Sequence, residues 1–457
     1  IDAMVLPVPP AWVGDFDGMR ERRMVRILVP YSKTFYLVDR GRQDGVAYAF
    51  GKAFETWLNK SQPFADKAQR WQVMFLPTAR NELLPKLLAG EGDLAAGGLT
   101  ITEGRQQTVD FSDPGASEIN EVIVSAPGSV KIQRLEDLAG REVYVRASSS
   151  YFEHLVALNE RFKAQGLAPV KIMPANENLE TEDLLQMVNA GLYGMTVADQ
   201  HIAQLWQSLY TDMQIQAGVY LHQGGKLSWA LRKSSPQFQQ VLSAFVKEHK
   251  IGSEFGNISM RRFKNNKRVL NATSQAEMQK FKALVGVFQK HAGTYDFDHL
   301  MLMAQGFQES QLDQRARSRA GAVGVMQLLP STAADPAVGI KGIDTSVDKN
   351  IEAGSKYMRL LADKYLDDPE LTPVNRTLMS FAAYNAGPGN LMKFRRLAEK
   401  SGLDPNVWFG NVEQAAARIV GRETVDYVGN IYKYYVVYKL AEQKLRERAK
   451  ASQQPGS

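Results

Sequence analysis

The hydrophobic pattern of this chain changes period once, near Lys264, and that break predicts two folding units of different class. Upstream, strand-like and helix-like runs alternate. From Met24, the residues Val25, Ile27 and Val29 recur with the period of two expected of a strand. A helical pattern follows at Tyr48 to Leu58, then a strand at Trp71 to Leu76 and a helix opening at Leu83-Leu84-Pro85-Lys86. Strands separated by helices predict an open α/β sheet. Downstream, Met278, Phe281, Leu284, Val285 and Phe288 share one helical face, and similar faces recur at 351–365, 378–384, 412–420 and 427–440. The second unit is therefore expected to be all-α. Between the two, Lys264-Asn265-Asn266-Lys267 and Asn271-Ala272-Thr273-Ser274 are polar and turn-prone, which predicts a linker over 264–275.

A length of 457 residues exceeds what one hydrophobic core supports, and 44% apolar with 23% charged residues is the balance of a well-cored globular protein. The net charge of +6, from 55 basic and 49 acidic residues, is too mild over this length for a nucleic-acid binder. The chain has no cysteine, which excludes disulfides, thiol catalysis and Cys-ligated metal. No stretch of about 18 apolar residues is present to span a bilayer. The opening Ile1-Asp2-Ala3-Met4-Val5 lacks the form of a secretion signal, so the chain is expected to be a trimmed mature form without a visible anchor. Six scattered histidines show no paired spacing, and no phosphate-binding loop occurs, so neither metal nor cofactor is expected.

Four short blocks follow one another in the helical part: Glu309-Ser310, Gly324-Val325-Met326-Gln327-Leu328, Ala383-Tyr384-Asn385-Ala386-Gly387 and Glu423-Thr424-Val425-Asp426-Tyr427-Val428. Each is weak alone. In this order they resemble the signature of the family 1 lytic transglycosylases, lysozyme-like enzymes that cut peptidoglycan glycan strands. Independently of the resemblance, Glu309 ends a helix that Asp298 is placed to cap, beside the apolar Leu300, Met301, Ala304 and Phe307. A carboxyl in such surroundings loses hydration and holds its proton to higher pH.

The resemblance implies that Glu309 is the catalytic acid, protonating the oxygen between N-acetylmuramic acid and N-acetylglucosamine and then taking the proton of the muramyl C6 hydroxyl as that group closes on C1. The product would be a 1,6-anhydromuramyl end. One carboxylate suffices because the nucleophile belongs to the substrate. By the same resemblance Ser318, Met326, Gln327, Tyr384, Asn385 and Tyr427 contact the glycan, with the Tyr427 hydroxyl approaching the acid. Leu329 stands where some relatives place a cleft methionine. Asp313 is expected at the surface or in a cap, and Glu423 in a buried structural pairing.

The stretch from Leu83 to Pro114 resembles the first lobe of type II periplasmic solute-binding proteins of the amino-acid-binding family, and the likeness runs from about Met24 to Phe263. The fold class expected is thus a two-lobed α/β binding-protein-like domain followed by an all-α, goose-type lysozyme-like domain. The expected division is an extension over 1–23, lobe 1 over 24–120 and 229–263, lobe 2 over 121–228, the linker, a catalytic domain over 276–450 and a disordered tail over 451–457. The resemblance places Arg105 on a ligand α-carboxylate beside Thr100, Asp199 on its ammonium, and Ser148 and Ser149 at a helix start that suits an anion. A zwitterion follows, either a free amino acid or a stem-peptide end.

The implied partners are peptidoglycan strands, a muropeptide or amino acid in the cleft, and the outer membrane, on whose inner, periplasmic face the protein would sit; no nucleic acid is implied. Two other readings stay open at this point. One is a solute receptor whose helical half holds glycan without cutting it; the other is a hydrolase of the goose-lysozyme type.

Overall fold

The structure, a computed structural model, describes residues 7–39, 42–67, 69–113, 118–249, 275–421 and 423–453. The expected linker lies almost wholly outside these residues, as does the stretch 250–263 assigned to the end of lobe 1. Strands β1 (Met24–Pro30), β4 (Gln72–Thr78) and β5 (Leu94–Thr100) are parallel neighbours in lobe 1, with the short antiparallel pair β2 (Leu37–Asp39) and β3 (Arg42–Asp44) and helices Val46–Ser61 and Leu83–Leu88 between them in sequence. Residues 25–30 of β1 are all buried, so the alternation of Val25, Ile27 and Val29 belongs to a strand covered on both faces. The polar residue that created that alternation, Arg26, is itself buried against the carboxylate of Asp93 at 2.9 Å.

Lobe 2 holds β7 (Glu118–Ser125), β8 (Glu142–Val145), β9 (Lys171–Pro174) and β10 (Met195–Asp199), with helices Ser150–Ala164, Thr181–Asn189 and Gln200–Gln207. The lobes share β11 (Gln214–Arg232), a 19-residue strand that pairs with β7 along its first part and with β5 and β6 (Val109–Phe111) along its last. Its register slips at several points, and such irregularity lets one strand bend from lobe to lobe. Helix Pro236–His249 packs Phe238, Leu242 and Phe245 into the same apolar cluster as the strands of lobe 1.

The extension is not a loose lead-in. Arg26 donates to the carbonyls of Pro10 at 2.7 Å and Trp12 at 3.1 Å, and Phe16, at the start of helix Phe16–Glu21, stacks on Trp71 at 5.0 Å. A buried guanidinium needs acceptors, and these carbonyls supply them, so residues 7–22 belong to lobe 1.

After residue 274 the described chain is helical, as its periodicity predicts, with only isolated bridges at Arg317, Val323 and Leu328. The main helices are Gln275–Tyr295, His299–Ser310, Val347–Tyr365, Pro373–Ala386, Pro388–Lys400, Glu413–Val420 and Glu423–Gln453. Asp298 caps the second of these by accepting from Leu300 N at 2.9 Å. Thr372 does the same for Asn375 N, with Pro373 in the first turn. The last helix runs to Gln453, past the start of the tail expected to be disordered; 454–457 lie outside the described residues.

That helix packs on both His299–Ser310 and β4. Tyr434 meets Phe307 edge-on at 5.0 Å, and one apolar cluster runs from the core of lobe 1 into the helical domain. Arg23 of the extension pairs with the buried Glu413, and Tyr432 donates to the Pro7 carbonyl at 2.9 Å. Among the described residues no helix is long and apolar enough to cross a membrane.

Candidate active site

Glu309 sits in the last turn of His299–Ser310, where the chain leaves the helix through left-handed residues Gln311 and Leu312. The Tyr427 hydroxyl donates to Glu309 Oε1 at 2.5 Å. Burial pushes the carboxyl up to about 7, against the opposing effect of that hydrogen bond. The charge of Glu309 in turn raises both Tyr427 and Tyr384, whose phenols are already raised well above their usual range by burial. Glu309, Tyr427 and Tyr384, expected from three separate blocks, are therefore brought together.

The loop after the acid is held by side chains. Ser310 Oγ donates to the Val325 carbonyl at 2.9 Å and accepts from Asp313 N at 3.1 Å, which explains the serine beside the acid. Tyr384 donates to the Met326 carbonyl at 2.8 Å. Asn350 is fully buried: it accepts from Met326 N at 2.8 Å and donates to the carbonyls of Val323 at 2.9 Å and Ile343 at 3.0 Å. Gly324, at φ +77°, is pressed against it, and a Cβ there would lie 2.3 Å from Asn350 Nδ2. Gly324→Ala is expected to destabilise the fold by about 2–4 kcal/mol through left-handed strain plus this clash, read as a lowered melting temperature. An unchanged melting temperature would show that the loop yields without cost.

Several expected glycan contacts are placed differently. Met326 is fully buried and packs on Gly354, so its side chain is core rather than cleft wall. Gln327, at φ 45°, spends its amide on the carbonyls of Gly324 at 2.8 Å and Ala316 at 3.2 Å. Ser318 is exposed and its hydroxyl accepts from Ala322 N at 3.0 Å, closing its own loop. Asn385 accepts from Thr424 at 2.7 Å, which ties the third block to the fourth. Asp313 accepts from Arg315 N at 2.9 Å in a turn, as expected for a cap, and that bond lowers its pKa. Glu423 is exposed at the head of its helix and does not form the expected buried pairing.

In the binding-protein half, Arg105 and Asp199 line one cavity of about 190 Å³, together with Thr100, Ser148 and Ser149. Arg105 bridges the lobes, donating to the carbonyls of Thr100 at 2.8 Å and Ser148 at 3.0 Å. Asp199 Oδ1 is buried without a partner among the described residues, and burial, then the nearby Glu121, push this carboxyl up to about 7. Thr100 Oγ1 accepts from Ser150 at 3.3 Å. Ser148 and Ser149 are engaged within the protein, contrary to their expected free state. Ser148 donates its N–H and its hydroxyl to Glu177, at 3.0 and 2.5 Å. Ser149 caps the helix Ser150–Ala164 and donates to the Arg146 carbonyl at 2.7 Å.

Sequence reasoning missed the polar bridges that join the lobes. Arg80 donates to Glu180 through Nε and a terminal nitrogen at 3.0 and 2.8 Å, and Glu182 accepts from Ser32 at 2.9 Å and Lys33 N at 2.7 Å. It also missed Asn350 and Gln305. For each the only signal was a polar residue on an otherwise apolar helical face. Among the described residues no group of three or more His, Cys, Asp or Glu is placed to hold a metal ion.

The two lobes and the acid-bearing helical unit define a solute-binding domain fused to a lytic transglycosylase domain. The chain belongs to the bacterial extracellular solute-binding proteins, family 3, whose model matches residues 30–265, over half its length. The model of the Transglycosylase SLT domain matches residues 286–405. Over almost its whole length the chain is similar to membrane-bound lytic murein transglycosylase F of Desulfosudis oleivorans, 27% identical over 95% of this chain and 96% of the relative. The protein of the same name from Idiomarina loihiensis is 27% identical over 94% of this chain and 92% of its own. Among solved structures, an ancestral arginine-binding protein bound to arginine is 22% identical, covering 52% of this chain and 97% of that one with a TM-score of 0.43.

Proposed function

We propose that the helical domain cleaves the β-1,4 bond between N-acetylmuramic acid and N-acetylglucosamine without water, leaving 1,6-anhydromuramyl ends. The observation that carries this reading is a single buried carboxyl, Glu309, raised to about 7 by desolvation with no second carboxylate acting on it among the described residues. Glycosidases that hydrolyse usually work with two carboxyl groups flanking the bond. Here protonated Glu309 gives its proton to the glycosidic oxygen as the bond to muramyl C1 breaks. The muramyl C6 hydroxyl then bonds to C1, and its proton returns to the Glu309 carboxylate. The enzyme ends as it began, and the intramolecular attack is favoured by an effective molarity on the order of 10⁵ M or more. Tyr427 holds the acid, while Tyr384, Asn385 and Gln327 lie on the blocks, and Ser318 on the loop between the first two, that would flank the glycan.

The cavity between the lobes, with the cation of Arg105 and the unpaired oxygen of Asp199, suits a zwitterion, either a free amino acid or the end of a stem peptide. Its binding would alter access to Glu309, so that the first half acts as a sensor. The relatives are named membrane-bound, which supports attachment to a membrane, and we place the protein on the periplasmic face of the outer membrane.

Mass spectrometry of digested peptidoglycan tests the chemistry: the expected fragments carry anhydro ends, each lighter by one water than a reducing end. Uniformly hydrated ends would assign the site to hydrolysis. For the sensor, calorimetric titration with stem peptides is expected to give heat, and glycan cleavage to change in their presence; absence of both ends that part of the reading.

A further inference from the structure

Gln305 lies one turn before Glu309 on the same helix and is fully buried. Its Nε2 donates to the hydroxyl oxygen of Tyr427 at 3.4 Å, and its Oε1 is buried with no partner among the described residues. An unpaired buried acceptor is a net cost to stability, so packing alone does not account for an amide at this position.

Its place beside Tyr427 does. The Tyr427 hydroxyl has one proton, which it gives to Glu309 Oε1. A protonated carboxyl beside a phenol has two arrangements. In one, the carboxyl proton sits on Oε1 and is donated inward to the phenol oxygen, where no substrate reaches it. In the other, the phenol donates to Oε1 and the carboxyl proton sits on Oε2, free for transfer. A donor occupying the phenol oxygen favours the second arrangement, because a hydroxyl that accepts a hydrogen bond becomes a better donor of its own.

We propose that Gln305 is a positioning residue: its amide turns the Tyr427 hydroxyl toward Glu309, so that the acid's transferable proton is kept on the oxygen facing away from Tyr427. This rests on the reading of Glu309 as the acid. The titratable groups that face Glu309 are Tyr427, from the helix Glu423–Gln453, and Tyr384, from the helix Pro373–Ala386. Among the described residues no charged side chain acts on it.

The test uses the full chain with Gln305→Leu and Gln305→Met, each alone and combined with Tyr427→Phe. Both single variants are expected to melt no lower than the parent, since the unpaired oxygen is gone. Their kcat is nevertheless expected to fall about 10-fold at unchanged KM. The alkaline limb of the pH profile should move up by about half a unit, because weaker donation from Tyr427 leaves Glu309 holding its proton more tightly. In the Tyr427→Phe background the Gln305 changes should add nothing further.

Equal proportional losses in both backgrounds, or an unmoved pH profile, overturn the proposal. Tyr427→Phe alone must shift the limb in the same direction, and its failure to do so overturns the proposal even where Gln305 variants do not fold. Should Glu309→Gln retain turnover, the reading of the acid fails instead, which separates the two outcomes.

Discussion

Glu309→Gln is expected to lower the rate of glycan cleavage by about 10³-fold or more while making the protein harder to unfold above pH 7. The first effect follows from removing the group proposed to give and retake the proton. The second follows from linkage. Burial raises the folded carboxyl from 4.5 to about 7, so the folded state holds the proton more tightly than the unfolded chain does. The parent therefore loses stability as pH rises from about 4.5 to about 7, by up to about 3 kcal/mol, and the amide does not. Melting curves of the two proteins should nearly coincide at pH 4.5, separate through that window and stay apart above it. A separation that is constant with pH would show that the carboxyl is not desolvated as described.

Asp199→Asn is expected to weaken zwitterion binding in the cavity by about 100-fold or more at pH 8, because a neutral amide replaces the carboxylate proposed to face the ligand ammonium. In the parent, a carboxyl raised to about 7 must shed its proton before it can pair with a cation. Affinity should therefore fall as pH drops below 7, by about 10-fold per unit at the lower end. Calorimetry in buffers of different ionisation enthalpy counts the proton released on binding. A parent affinity that does not change between pH 6 and pH 8 would remove Asp199 from the ammonium contact.

The class of both domains was legible because it rests on period, and period survives in a single sequence. The acid and its tyrosine were legible through the order of the four blocks, not through any one of them. What could not be read were partners joined by the fold alone. Asn350 stands 24 residues after Met326 yet holds its backbone, and Arg80 meets Glu180 across 100 residues of chain. Side-chain commitment was equally hidden. Ser148, Ser149 and Gln327 have the right chemistry for a ligand, but neighbours already claim their hydrogen bonds. Arg26 was hidden in the same way, since its burial inside β1 depends on Asp93, 67 residues further along the chain.

Helix Glu423–Gln453 serves two cores at once: Tyr427 reaches the Glu309 carboxyl while Tyr434 and Tyr438, which meet Phe307 edge-on, lie beside the aromatic side of lobe 1. Dissecting the chain between its halves would strip one side of this shared wall and wet a row of tyrosines. Neither fragment would then be a faithful stand-in for its part in the whole, and heat should melt lobe 1 and the lytic unit together.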